Sequence, residues 1–301
     1  MRRTVTLAGL FVLGFSHAAF SLGTCDSAAQ QAMSSFAGGR TGIVAWCSRR
    51  TGGNWRIWAR DLDGTNLRQV SPNDGSQHVG PVISPDGSRI LYLKSNNPNY
   101  SVMTCDIVMV DADDTDGSSA QTLVTNAGTT HEWRGARWLN ADEFAFVGGS
   151  DRDGYKYTIS TGQTQKLYAW NLNEHGALPN PQLTHCISAK VGANNFAAIN
   201  NVGSSGTVTQ LKTWGGCQGS MAEDGLHMFR MGGTGGPVCR MRISDLSSVD
   251  VLAKNSDARF PSTQRYLYFP QYSACQRYLA VCASPNQHDH FKSDYDVFVV
   301  P

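Results

Sequence analysis

The segment Asn286-Gln287-His288-Asp289-His290 holds two imidazoles one residue apart, with a carboxamide and a carboxylate beside them. In an extended loop, alternate side chains project to one side. Neutral imidazole is a good ligand for manganese or zinc. His78, His131 and His185 fall at other polar junctions of the chain. With Gln287, His288 and His290 they form a candidate metal set, and Asp289 offers a further oxygen. The competing expectation is that these side chains hydrogen-bond the backbone of their own loops.

Calcium is a second cation to weigh. Asp111-Ala112-Asp113-Asp114-Thr115-Asp116-Gly117 carries carboxylates at alternate positions, as a calcium loop does. Thr122 stands where an EF-hand would have its twelfth-position Glu, and Asp61-Leu62-Asp63-Gly64 repeats the pattern. Turn chemistry therefore accounts for both tracts. Asp151-Arg152-Asp153-Gly154 reads as a hairpin tip in the same way.

Trp55, Trp58, Trp133, Trp138, Trp170 and Trp214 recur near strand ends. Exposed rings stack on the apolar face of a sugar; buried ones pack between sheets. Trp133 lies beside His131, Arg134 and Arg137, so Trp133, Arg134 and Arg137 form the candidate ligand-binding group. The sequence has no G-x-S-x-G elbow, Walker loop or HExxH pair. The glycine-rich run Gly232 to Gly236 joins two strands and reads as a hairpin loop. Catalytic residues stay unassigned, with His131 and Tyr295 the two side chains available as a base.

These residues are far apart in sequence, so only a fold that gathers loops brings them together. Repetition supplies one. Pro81 to Ser84, Arg89 to Lys94, Cys105 to Val110 and Gln121 to Thr125 read as four short strands, with Pro85-Asp86-Gly87 as a turn. Ile43 to Cys47, Arg56 to Ala59 and Leu67 to Val70 match strands two to four of that unit. Ala136 to Leu139, Glu143 to Val147, Lys166 to Asn171 and Gln182 to Thr184 match a whole unit. So do Gly219 to Ala222, His227 to Met231, Val238 to Ile243 and Val249 to Leu252. Phe269 to Ser273, Tyr278 to Cys282 and Tyr295 to Val300 match strands one to three. Cys186 to Trp214 is degenerate, with Phe196 to Asn200 and Val208 to Lys212 as candidate strands. The expectation is an all-β β-propeller of about six four-stranded blades, or seven with extra strands near the N-terminus. Ser27 to Arg40 is expected to supply a closing strand, since an open edge leaves backbone groups unpaired. Loops between strands two and three share a rim with loops joining one blade to the next. The candidate histidines are placed on that rim.

The phrases SPDGSRILYL, IWARDLDGTNLRQVS and SDYDVFVV resemble TolB-type, WD40-like propeller repeats from about Gly42 onward. That resemblance implies a radial array around a channel and no particular activity. The Gln287/His288/His290 cluster also resembles, more faintly, oligogalacturonate-lyase propellers, whose manganese is held by histidines and a glutamine. That second resemblance implies a metal neutralising a uronate carboxylate so that a base removes the adjacent proton. Arg134 or Arg137 would help to hold the anionic sugar.

Residues 1–23 read as a cleavable signal peptide: basic Arg2 and Arg3, an apolar run from Val5 to Phe15, then small residues. That run is too short to span a bilayer, and no later segment is apolar enough to be transmembrane. Residues 24–301 then form one domain, expected to be secreted or periplasmic. Removing Arg2 and Arg3 shifts the formal charge from +1 to −1, which gives no basis for binding nucleic acid. Eight cysteines in an exported chain point to disulfides. The pairs weighed are Cys275 with Cys282 and Cys217 with Cys239. The leading functional expectation is a binding module for a glycan or an extracellular or periplasmic protein at the channel mouth. The alternatives are a metal-dependent polysaccharide lyase and a structural assembly protein.

Overall fold

The computed structural model describes residues 27–49, 52–95, 104–129, 135–170, 177–188, 195–200, 206–215, 217–222, 224–232, 236–273, 278–285 and 296–300. Within them a helix, α1 (Ser27–Ala37), precedes six antiparallel meanders. The first contains β1 (Ile43–Ser48), β2 (Arg56–Asp61) and β3 (Arg68–Gln69). The second contains β4 (Gln77–Ile83), β5 (Arg89–Ser95), β6 (Thr104–Asp111) and β7 (Gln121–Gly128). The third contains β8 (Ala136–Trp138), β9 (Glu143–Gly148), β10 (Gly154–Thr158) and β11 (Gln163–Tyr168). The fourth contains β12 (Leu178–Pro179), β13 (Cys186–Ser188), β14 (Asn195–Asn200) and β15 (Thr209–Gly215). The fifth contains β16 (Cys217–Met221), β17 (His227–Met231), β18 (Val238–Arg242) and β19 (Ser248–Ala253). The sixth contains β20 (Tyr266–Tyr272), β21 (Leu279–Ser284) and β22 (Asp296–Val300). The leading strands β4, β8, β12, β16 and β20 touch one another in series. That is the radial order of a propeller.

Hydrogen bonding divides the described strands into five sheets, against six or seven blades expected. The second and third meanders share one sheet because Ala127 and Gly128 of β7 pair with Gly148 and Val147 of β9. Glycine permits this approach. A Cβ on Gly128 would lie 2.4 Å from the Gly148 carbonyl oxygen, and one on Gly149 2.1 Å from that of Asn126.

The pleat explains why RILYLK reads as a nearly continuous apolar run. Ile90 and Tyr92 of β5 face the first meander, in a cluster with Ile57, Ala59 and Val70. Leu91 and Leu93 face the other way, in a cluster with Trp138, Phe144 and Phe146. A strand buried on both faces has no polar alternation to show. Each fully buried aliphatic side chain contributes about 1.5–3 kcal/mol.

The turn grammar read from the sequence is present at the first-to-second strand connections. Asp86 accepts the Ser88 N–H at 3.1 Å, Asn140 the Asp142 N–H at 2.8 Å, and Asp224 the Leu226 N–H at 2.8 Å. These are Asx turns, in the second, third and fifth meanders.

Three expectations are corrected. Ser27 to Arg40 is not a closing strand; its first eleven residues are α1. The segment SAAQQAMSSFA contains no β-branched residue and favours a helix. Gly38 and Gly39, at φ 55° and 78°, end it. In the third meander the third strand is β10, where no strand was expected; Lys166 to Tyr168 belong to the fourth strand, β11, and Gln182 to Thr184 lie in the β12–β13 hairpin. Tyr155 and Tyr157 stack across the ladder on Phe146 and Phe144 at 5.5 and 5.2 Å, which fixes that register. Among the described residues no disulfide is found, and the weighed pair of Cys217 with Cys239 is not formed, because Cys239 is a free thiol. Cys217 and Cys239 sit on strands separated by β17, about 10 Å apart and beyond disulfide reach. Cys275, weighed as the partner of Cys282, lies outside the described residues. Cys47, Cys105 and Cys186 are free as well. Burial pushes the Cys105 thiol up to about 12, so it behaves as a small apolar side chain.

Candidate functional site

Of the candidate residues, His131, Trp133, Arg134, Gln287, His288, His290 and Tyr295 lie outside the described residues. His78, His185 and Arg137 are described, and the structure does not draw them to one point. Among the described residues no group of three or more His, Cys, Asp or Glu side chains is placed to hold a metal ion.

His185 is not at a junction between meanders. It lies in the hairpin between β12 and β13, capped by Asn180, whose Oδ1 accepts the His185 N–H at 3.0 Å. Strands alternate in direction, so this turn belongs to the rim opposite the inter-meander loops. Its ring Nδ1 is 3.0 Å from Thr184 Oγ1, and burial lowers its pKa. His227 occupies the matching turn of the fifth meander, with Nδ1 2.6 Å from Asp224 Oδ2. Asn180 Nδ2 joins the two turns by donating to the Gly225 carbonyl at 3.2 Å. Arg137 is buried on β8, on the opposite face from Ala136 and Trp138.

The Asp-rich tracts bind their own backbone. Asp114 accepts the N–H groups of Asp116, Gly117 and Ser119 at 2.9, 2.8 and 2.7 Å. Those bonds hold its carboxyl well below the usual carboxylate range, against the upward push of burial. Asp63 accepts the Thr65 N–H at 2.9 Å. Trp58 and Trp138 are buried between sheets, and the Trp138 indole N–H donates to the Val82 carbonyl at 3.0 Å.

The most concentrated polar structure on the expected rim lies where the first meander meets the second. His78 is inside β4 rather than before it, and it is fully buried. Its Nε2 is 3.2 Å from Asp74 Oδ1, off the line of a hydrogen bond. Its ring packs on Tyr92 at 5.0 Å. Asp74 also pairs with Lys94 at 2.8 Å. Beneath them Arg56, 3% exposed, donates to the carbonyls of Trp55 and Ser76 at 2.9 and 2.5 Å and to Asn73 Oδ1 at 2.9 Å. Gln77 accepts the Trp55 N–H at 2.9 Å and donates to Asn54 Oδ1 at 2.5 Å. The guanidinium of Arg49 covers the Trp55 ring at 5.0 Å.

Burial dominates the electrostatics here. It lowers the His78 pKa from 6.5 to about 4, with Arg56 and Lys94 adding to the shift and Asp74 opposing it. The imidazole is therefore neutral near pH 7. Burial also works to raise the Asp74 pKa, but Lys94, the Ser76 N–H and His78 outweigh it and hold the carboxyl low. Burial lowers the Arg56 pKa and raises that of Tyr92. Asp74 is the carboxylate serving both Lys94 and His78, and Arg56 bonds neutral acceptors. Among the described residues His78 has the Asp74 carboxylate within 3.2 Å and belongs to no group of three or more metal-ligating side chains.

Comparisons with known proteins bear on the fold. No protein-family profile matches the sequence, and no curated protein does. Among solved structures, TolB from Acinetobacter baumannii is similar at a TM-score of 0.56 and 13% identity, over 86% of this chain and 63% of that one. The fold is a TolB-like β-propeller. This propeller chain spans less than two thirds of the length of the TolB chain. An oligogalacturonate lyase from Vibrio parahaemolyticus matches at a TM-score of 0.45 and 12% identity over 85% of each chain. A nidogen/laminin complex matches at 0.47 and 14% identity, over 69% of this chain and 74% of that one. Among the described residues of the propeller, no helix is long and apolar enough to cross a membrane.

Sequence reasoning singled out His78 but missed Arg56, Asp74, Tyr92 and Lys94. A buried arginine inside an apolar strand (RIWA) was the available signal, because such a group needs several acceptors nearby.

Proposed function

We propose that this chain is a non-catalytic binding propeller that acts outside the cytoplasm and takes a glycan or a protein at the mouth of its channel. One observation supports the reading most directly. Arg56, Asn54 and Gln77 tie the loops before β2 and β4 into a fixed frame, while Asp74 and Lys94 keep 27% and 30% of their side chains exposed. Trp55 is half-buried at the same edge. A frame held in place before binding loses little conformational entropy when a ligand docks. An indole edge beside fixed polar groups suits a sugar ring or an aromatic-rich protein surface.

Glycan arrays and pull-downs with the exported chain test this. A ligand is expected whose binding weakens at least tenfold in Trp55→Ala and Lys94→Ala. Two empty screens on folded protein would overturn the proposal. Metal analysis of the same preparation tests the lyase alternative. One equivalent of manganese or zinc, lost in His288→Ala and His290→Ala and accompanied by cleavage of uronate polymers, would replace the binding reading. Ordered oligomers formed without ligand would favour a structural assembly role.

A further inference from the structure

The ring has a seam that strand pairing does not cross among the described residues. The first and sixth meanders each contain three described strands, and no ladder joins them. Side chains bridge the gap instead. The Phe36 ring of α1 packs on Tyr278 at 5.1 Å, and Arg40 Nη1 donates to Tyr278 Oη at 2.7 Å. The Arg40–Tyr278 bond spans 238 residues of sequence.

Both ends of the bridge are anchored. Met33 and Ala37, one helical turn apart on α1, are buried. Gly38 and Gly39 end α1 and turn the chain so that Arg40 reaches the same ring as Phe36. Two residues later, the Gly42 carbonyl accepts the Leu62 N–H at 2.8 Å and fixes the linker to the first meander. Tyr278 closes the β20–β21 hairpin, where its carbonyl accepts the Ser273 N–H at 2.9 Å and its own N–H donates to Ser273 Oγ at 3.2 Å.

We propose that α1 is a clasp joining the first and last meanders, and that the propeller opens first at this seam. Among the described residues this closure shows one ring contact and one solvent-exposed hydrogen bond, where the seam between the first and second meanders has an apolar cluster and the buried Arg56 network. Local opening follows the weakest set of contacts.

Hydrogen exchange of the full chain tests it, with Tyr278→Ala, Tyr278→Phe and Phe36→Ala compared with the wild type. Tyr278→Ala and Phe36→Ala are expected to speed exchange at least tenfold in β1–β3 and β20–β22, leaving β5, β6 and β9 unchanged. Tyr278→Phe keeps the ring and loses the Arg40 bond, so a smaller change at the same strands is expected. If Tyr278→Ala fails to fold, Phe36→Ala and Tyr278→Phe carry the test. Exchange that changes only in the β20–β21 hairpin, rises equally in all sheets or does not change would overturn the clasp.

Discussion

The seam between the first and second meanders and the seam between the sixth and first are made of different material. The former combines a two-sided apolar cluster around Ile57, Ile90 and Tyr92 with the buried Arg56 network. Among the described residues the latter is bridged by Phe36 of α1 and Arg40, both on the side chain of Tyr278. A third kind lies between the second and third meanders, where backbone pairs directly at Gly128 and Gly148. A radial fold repeats its strands without repeating its joints. Each joint is only as strong as the chemistry the local sequence supplies.

The largest expected effect comes from breaking the first seam. Arg56→Met keeps the aliphatic bulk but strips the hydrogen bonds from Ser76, Asn73 and Trp55, and should cost about 3 kcal/mol in urea unfolding. Acidification probes the same seam at comparable size. His78 titrates near 4 in the folded chain and near 6.5 when unfolded. Its contribution is therefore complete above pH 6.5. It falls by about 3 kcal/mol as pH drops towards 4, because only the unfolded state takes up the proton. The groups facing it are Asp74, Arg56, Lys94 and Tyr92. His78→Gln should flatten that part of the stability–pH curve relative to the wild type; a curve of unchanged slope would refute the assignment.

Gly149→Ala tests the backbone seam. Its new methyl group would meet the Asn126 carbonyl oxygen, and a loss of about 2 kcal/mol is expected by thermal unfolding. The closing seam should give the smallest change: about 1 kcal/mol for Tyr278→Ala and about 0.5 kcal/mol for Tyr278→Phe. If Tyr278→Ala cost more than Arg56→Met, the ranking of the seams would be reversed.

Much of the fold was legible because its signals are local. The Asp86-Gly87 turn and the RILYLK strand each state their conformation within six residues. The errors were also local in origin. Ser27 to Ala37 carried a helical composition that the need for a closing strand overrode. Gly154 to Thr158 lacked an apolar run because Tyr155 and Tyr157 supply the buried face alone. The site was far less legible. His78 was found as a histidine near a junction, but Arg56, Asp74 and Lys94 lie on three different segments, and neither composition nor spacing links them.

The sequence alone determined the strand periods, the turn chemistry and hence a repeating β architecture, since these depend on interactions a few residues long. The tertiary structure decided which turns meet, that a helix rather than a strand bridges the ring and that His78 is a buried neutral group. Those outcomes depend on contacts between residues tens to hundreds of positions apart, such as Phe36 with Tyr278, and on the loss of solvent that only packing brings about.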